Sequence, residues 1–254
     1  MGRRILCVHA HPDDAELLAG GTLTLLARRG HSVTIASMSA GDCGSTEHGG
    51  RETAAIRQKE AARAAARMGA EYHWLGFCDL AIFVDDPSRR MVTAALRRFR
   101  PDVVLTASPA DYHCDHEATS ALVTDACFAA SAPNYDTRGY DPAPALDVIP
   151  HLYYVDPAEG IDRERRLSQP VFVVDVGAVI EDKRQALECH ESQRSWLCRQ
   201  HGIEDFAGTM LEWTRARGAL ARVEFGEGFR PYHGHAYPQT PLLEELLGSA
   251  VIPL

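Results

Sequence analysis

Two short segments concentrate the side chains that could do chemistry. The first is His9-Ala10-His11-Pro12-Asp13-Asp14 and the second Asp111-Tyr112-His113-Cys114-Asp115-His116-Glu117. Each offers imidazole and carboxylate within a few residues, the donor types that hold a divalent metal. Adjacent Asp side chains in a turning segment point in different directions, so one of Asp13 and Asp14 can hold a metal while the other faces a substrate. His113 and His116 stand three residues apart, which suits one ligand and one catalytic or orienting imidazole. Two His and one carboxylate, with a fourth position left for water, is a catalytic zinc pattern. The first segment also has a local reading, in which Asp13 or Asp14 caps a helix starting near Ala15. The second could be a polar loop with incidental histidines.

The surrounding pattern decides where these segments sit. Ile5–Val8 reads as a buried strand, followed by a helix over 16–29 that stops at Gly30. Further strands are expected at 32–37, 72–75 and 103–105, with helices at 52–68, 91–100 and 117–130. Residues 40–50 read as a loop. Strands alternating with helices at this spacing predict βαβ units, a largely parallel Rossmann-like sheet with helices on both faces. In such a sheet ligands bind beyond the carboxyl ends of the strands, where both segments emerge. The second half is less regular. The proline-bearing stretch 133–150 is expected as a surface excursion, 151–155 and 171–176 as strands, and 180–193 and 204–221 as helices. No repeat or linker divides residues 1–254. They are read as one domain, with a Rossmann-like core over 1–130 and substrate-side loops, strands and helices over 131–254.

Composition narrows the class. The chain has 254 residues, is 45% hydrophobic and 24% charged, and carries a formal net charge of -9. That balance excludes a disordered or collagen-like chain and argues against a nucleic-acid or anionic-membrane partner, which a basic face would serve. Cys7, Cys43, Cys78, Cys114, Cys127, Cys189 and Cys198 form no CxxC pair, so a reducing cytoplasm is expected. No apolar run approaches membrane-spanning length, and the N-terminus lacks the apolar segment of a signal peptide.

The pair of segments, together with Gly20-Gly21-Thr22, resembles the PIG-L/LmbE family of zinc-dependent de-N-acetylases. The resemblance covers most of the chain and is densest over residues 1–130. It implies a zinc ion, or ferrous iron, held by His11, Asp14 and His116. It implies Asp13 as general base between the first two ligands, His113 as the group that stabilises the oxyanion, and Asp115 as the residue that orients His113. Cys114 stands where the family usually has proline. Arg57 and Glu60 match an Arg-x-x-Glu pattern whose Arg reaches the site; the alternative is a surface ion pair. His190-Glu191-Ser192-Gln193 matches a recurrent segment read here as structural. Glu227-Gly228-Phe229 matches a C-terminal segment, after which His233 or His235 would border the pocket with Arg57 as a substrate-binding residue. His9 is read as packing locally, and His31, His48, His73, His151 and His201 receive no role.

The implied activity is hydrolysis of an N-acetylated small molecule, an N-acetylglucosamine-type sugar or conjugate. The resemblance also allows a homo-oligomer. Two other readings compete. An amidase on the same scaffold could act on a non-sugar natural product, with its specificity in the 40–50 and 131–170 loops. A non-catalytic Rossmann-like binding module would need a glycine-rich phosphate loop at the first strand. Gly20-Gly21 falls inside the first helix, too late for that.

Overall fold

The computed structural model describes residues 2–254. Along the first strand, β1 (Arg4–His9), Ile5 and Cys7 enter one face and Leu6 and Val8 the other. A strand apolar on both faces belongs in the middle of a sheet covered on both sides, and β1 lies there. β2 (Ser32–Ser39), β3 (Glu71–Phe77), β4 (Val103–Thr106) and β5 (His151–Val155) run parallel to it in the order β3-β2-β1-β4-β5. Helices α1 (Asp14–Arg28) and α2 (Gly50–Arg67) pack on one face, bringing Ala19, Leu23, Ala64 and Met68 against Ile5 and Ile35. Helices α3 (Asp86–Phe99) and α4 (Cys114–Ala130) cover the other, with Val92, Leu96, Leu122 and Ala126 against Leu6 and Val104. The predicted α/β architecture is therefore present. The order reverses between β1 and β4, and that switch point opens a crevice at the carboxyl edge of the sheet.

Beyond β5 the sheet is mixed rather than largely parallel. β7 (Gly226–Pro231) inserts antiparallel between β5 and β6 (Phe172–Asp175), and β8 (Val251–Pro253) closes the edge antiparallel to β6. Neither β7 nor β8 was expected. Gly226-Glu227-Gly228 breaks the alternation of one, and the other has three residues. The short helix α8 (Leu242–Leu247) was missed as well. The expected helix over 180–193 is two, α5 (Ile180–Leu187) and α6 (Glu191–His201). The split arises because Glu60 of α2 accepts hydrogen bonds from the Ser192 N–H at 2.9 Å and its hydroxyl at 2.6 Å, which starts a new helix end there. The chain then continues through α7 (Phe206–Leu220). All seven cysteines are free thiols, and no helix among the described residues is long and apolar enough to cross a membrane.

A buried carboxylate, itself part of an ion pair, joins the second half of the chain to α1. Glu227 on β7 accepts hydrogen bonds from the N–H groups of Gly21 and Thr22, in the middle of α1, at 2.9 and 2.8 Å. Its Oε1 also meets Lys183 Nζ at 2.7 Å, with both side chains 1% exposed. Gly21 allows this approach, since a Cβ there would lie 2.6 Å from Val176. Glu227→Gln keeps the shape but strands the Lys183 charge, and removing one partner of a buried pair costs about 3–5 kcal/mol. Urea unfolding of the variant should show that loss, and a difference below about 1 kcal/mol would contradict it.

Candidate active site

The carboxyl edge of the sheet brings together residues from three strand ends. β1 runs into His11-Pro12-Asp13-Asp14, β3 into Asp79, and β4 into Asp111 to His116. α4 begins at Cys114 rather than at Glu117, so His116 stands in its first turn. His113 is the residue that caps it, its Nδ1 accepting the Asp115 N–H at 3.2 Å. Cys114 occupies the first helical position, where proline is favoured and no N–H partner is needed.

Three donor atoms face one another. His11 Nδ1 lies 3.3 Å from His116 Nε2 and 3.5 Å from Asp14 Oδ2, and the last two are 3.4 Å apart. Zinc bonds of about 2.0–2.2 Å in a tetrahedron place donors about 3.3–3.5 Å apart, so this triangle fits a metal with one position open. The far nitrogen of each imidazole meets a carboxylate: His11 Nε2 lies 3.1 Å from Asp79 and 3.4 Å from Asp115, and His116 Nδ1 lies 3.0 Å from Asp111. That is how metal-binding imidazoles are held in one orientation. Asp14 is aimed by the His11 N–H, which donates to Oδ2 at 2.8 Å.

The electrostatics agree. Burial alone would lower the two imidazoles, but the hydrogen bonds that His11 donates to the carboxylates of Asp115, Asp14 and Asp79 raise it well above its ordinary value, and Asp14 and Asp111 raise His116. Burial would likewise raise Asp14, yet His116 and His11 hold it well below the usual carboxylate range. The cluster carries more carboxylates than its imidazoles can balance, a surplus that a divalent cation neutralises. The chain therefore carries a His/Asp cluster of metal-binding character.

Asp13 differs from its neighbour. It occupies the N-cap position of α1 but makes no capping hydrogen bond, so the local explanation of this aspartate fails. Its backbone adopts φ 98°, a left-handed conformation costly for a residue with a Cβ. Arg57 stabilises that turn: its guanidinium donates to the Pro12 carbonyl at 2.7 Å and the Gly41 carbonyl at 3.1 Å, and reaches Asp13 Oδ2 at 3.3 Å. Gly41 has φ 64°, and a Cβ there would overlap the guanidinium. Burial pushes the Asp13 carboxyl up to about 6, with Arg57 opposing the rise. Burial, together with the nearby His11 and His116, lowers His113.

Several sequence expectations are corrected here. Asp115 does not orient His113 through its carboxylate; that carboxylate accepts the Leu80 N–H at 2.7 Å and faces His11, and only its backbone N–H reaches His113. Arg57 and Glu60 are not a surface ion pair, since both are buried and each has other partners. Arg57 lines the cleft, but its two terminal nitrogens are taken up by the Pro12 and Gly41 carbonyls and Asp13, and its buried Nε has no partner. His233 and His235 are exposed and line no part of the cleft. They follow β7, which runs antiparallel to β5 and so delivers them to the opposite edge of the sheet. The side chain of His201 lies outside the described residues. Asp79 and the structural role of Asp111 were missed. Asp111 carried a signal, since it opens the chemistry-bearing segment after β4, whereas Asp79 follows β3 as a lone carboxylate.

Comparison with known proteins follows the same line. The family model for the PIG-L GlcNAc-PI de-N-acetylase matches residues 6–127. A diacetylchitobiose deacetylase of Thermococcus kodakarensis is 30% identical over 201 residues, covering 75% of this chain and 70% of that one. A 4-oxalmesaconate hydratase of Pseudomonas putida is 28% identical over 196 residues, covering 74% and 73%. The solved structure of the N,N'-diacetylchitobiose deacetylase from Pyrococcus horikoshii superposes with a TM-score of 0.76 at 26% identity, covering 94% of this chain and 88% of the other.

Proposed function

Because the chain belongs to the PIG-L/LmbE family of de-N-acetylases, we propose that it is a metal-dependent hydrolase removing the acetyl group of an N-acetylated small molecule. An N-acetylglucosamine-type sugar or conjugate is the substrate this reading favours. The carrying observation is the triangle of His11 Nδ1, Asp14 Oδ2 and His116 Nε2. The donor set suits zinc, and two imidazoles with one carboxylate also suit ferrous iron. When bound, the metal supplies a Lewis acid for the amide carbonyl and its attacking water.

The remaining work falls to side chains. Asp13 takes the proton of the attacking water; a carboxyl raised to about 6 can accept it and pass it to the leaving amine. Arg57 holds Asp13 in place. His113, with Nδ1 engaged by a backbone N–H, carries its proton on Nε2 when neutral. It offers that proton as a hydrogen bond to the developing oxyanion. His11 is kept in register by Asp79 and Asp115, and His116 by Asp111. Residues 1–254 act as one such domain, and the seven free thiols support a cytoplasmic setting.

The test is a panel of N-acetylated sugars with metal-loaded protein, measuring acetate and primary amine. Equal amounts of both are expected. A hydratase releases no amine, so water addition to an unsaturated acid without amidase activity would overturn the reading.

A further inference from the structure

The hairpin between β5 and β6 has no part in the chemistry above, yet it reaches the metal site. Ile161 pairs with Leu167, and the Asp162 N–H donates to the Arg166 carbonyl at 3.0 Å. Asp162 Oδ1 closes the turn by accepting the N–H groups of Glu164 and Arg166 at 2.8 and 2.9 Å. Arg163 and Arg165 stand at the tip and line a cavity of about 540 Å³ that also touches Asp13, Asp14 and Tyr112. Because the tip is braced by its own backbone, its side chains are presented from a fixed place.

Arg163 is turned onto the segment that carries His113 and His116. Its Nε donates to the Asp111 carbonyl at 3.3 Å, and its Nη2 to the Glu117 carboxylate. Glu117 Oε1 in turn accepts the Asp111 N–H at 3.0 Å. Arg163 and Glu117 therefore grip Asp111 by its carbonyl and its N–H. The buried Asp111 carboxylate accepts the His113 N–H at 3.1 Å and meets His116 Nδ1 at 3.0 Å. An isolated pair as exposed as Arg163 and Glu117 would contribute little, but here one guanidinium bridges two acceptors that lead to the same buried residue. Arg165, on the same tip, makes none of these contacts. We infer that Arg163 is a positioning residue for the metal centre: by fixing Asp111 it holds His116 in its metal-binding orientation. The inference rests on the proposed metal site of His11, Asp14 and His116. Outer partners of metal-binding imidazoles are worth about 10–100-fold in metal affinity, and Arg163, one step beyond Asp111, falls at the lower end. The sign is diagnostic. Removing a cation from the neighbourhood of a divalent metal strengthens its binding by Coulomb's law, whereas loosening Asp111 weakens it.

The experiment compares the native chain with Arg163→Met and Arg165→Met, each of which removes one cation from the tip. Zinc affinity is measured by competition with a chromophoric chelator, and the visible bands of the cobalt(II) form report ligand geometry. The Arg163 side chain is 53% exposed, so the variant should keep its fold, which circular dichroism checks. Arg163→Met should bind zinc about tenfold more weakly and alter the cobalt bands. Arg165→Met should bind zinc at least as tightly as the native chain, with its bands unmoved. Native or tighter zinc binding by Arg163→Met overturns the inference, and so does an equal loss in Arg165→Met. A higher KM for a cleaved N-acetylated sugar with native zinc affinity also overturns it, because Arg163 would then be a substrate contact. Zinc binding by the native chain without amide cleavage would refute the hydrolase alone. Amide cleavage with native zinc affinity in Arg163→Met would refute the inference alone.

Discussion

Asp13→Asn should bind metal as the native protein does and lose about 10²–10⁴-fold in turnover, the usual worth of a positioned general base. That is about 3–5 kcal/mol of barrier. The substitution keeps size and shape, and Arg57 retains its bonds to the Pro12 and Gly41 carbonyls. Asn also tolerates a left-handed backbone better than most residues. Asp14→Asn should behave differently, because a neutral amide replaces the anionic donor facing His11 and His116. Its metal content should fall, and excess zinc should partly restore activity. Metal analysis and acetate release on the two variants side by side separate the roles. Loss of metal from Asp13→Asn with retention by Asp14→Asn would mean the two aspartates are exchanged.

His116→Ala should lose most of its metal and nearly all activity while keeping its fold. The removed imidazole is one corner of the donor triangle, and two donors cannot close a tetrahedral site. Alanine is the best helix former, so the first turn of α4 should persist. Asp111 still accepts the His113 N–H at 3.1 Å and keeps the loop in place. Elemental analysis with circular dichroism reads both outcomes. Stoichiometric metal in a folded variant would show that His116 is not a ligand.

The site was legible wherever chemistry and topology coincide in short stretches. His11, Asp14 and His116 come from segments following the two central strands, whose unbroken apolar runs mark them as covered on both faces. Asp79 was missed because it stands alone, and only the fold shows that β3 ends at the same edge. The His233 and His235 assignment failed for a different reason. Strand direction is set by pairing with distant partners, and nothing local in Gly226–Pro231 says that it runs against β5. The division of 180–193 was equally hidden, since its cause is Glu60, 132 positions away from Ser192. The early starts of α3 and α4 were readable after all. Asp85 caps α3 by accepting the Ser88 N–H, with Pro87 in the first turn, and His113 caps α4.

The Glu227 contact bears on modularity. The sequence sets residues 131–254 apart as a substrate-side unit following the core over 1–130. Glu227 lies in that unit, yet its carboxylate closes on the backbone of α1, the helix that grows directly out of the catalytic turn. Its counter-ion Lys183 lies in the same unit, so a cut near residue 130 leaves α1 without its carboxylate and keeps the ion pair without its helix. A chimera made at that boundary inherits an incomplete interior on both sides of the junction.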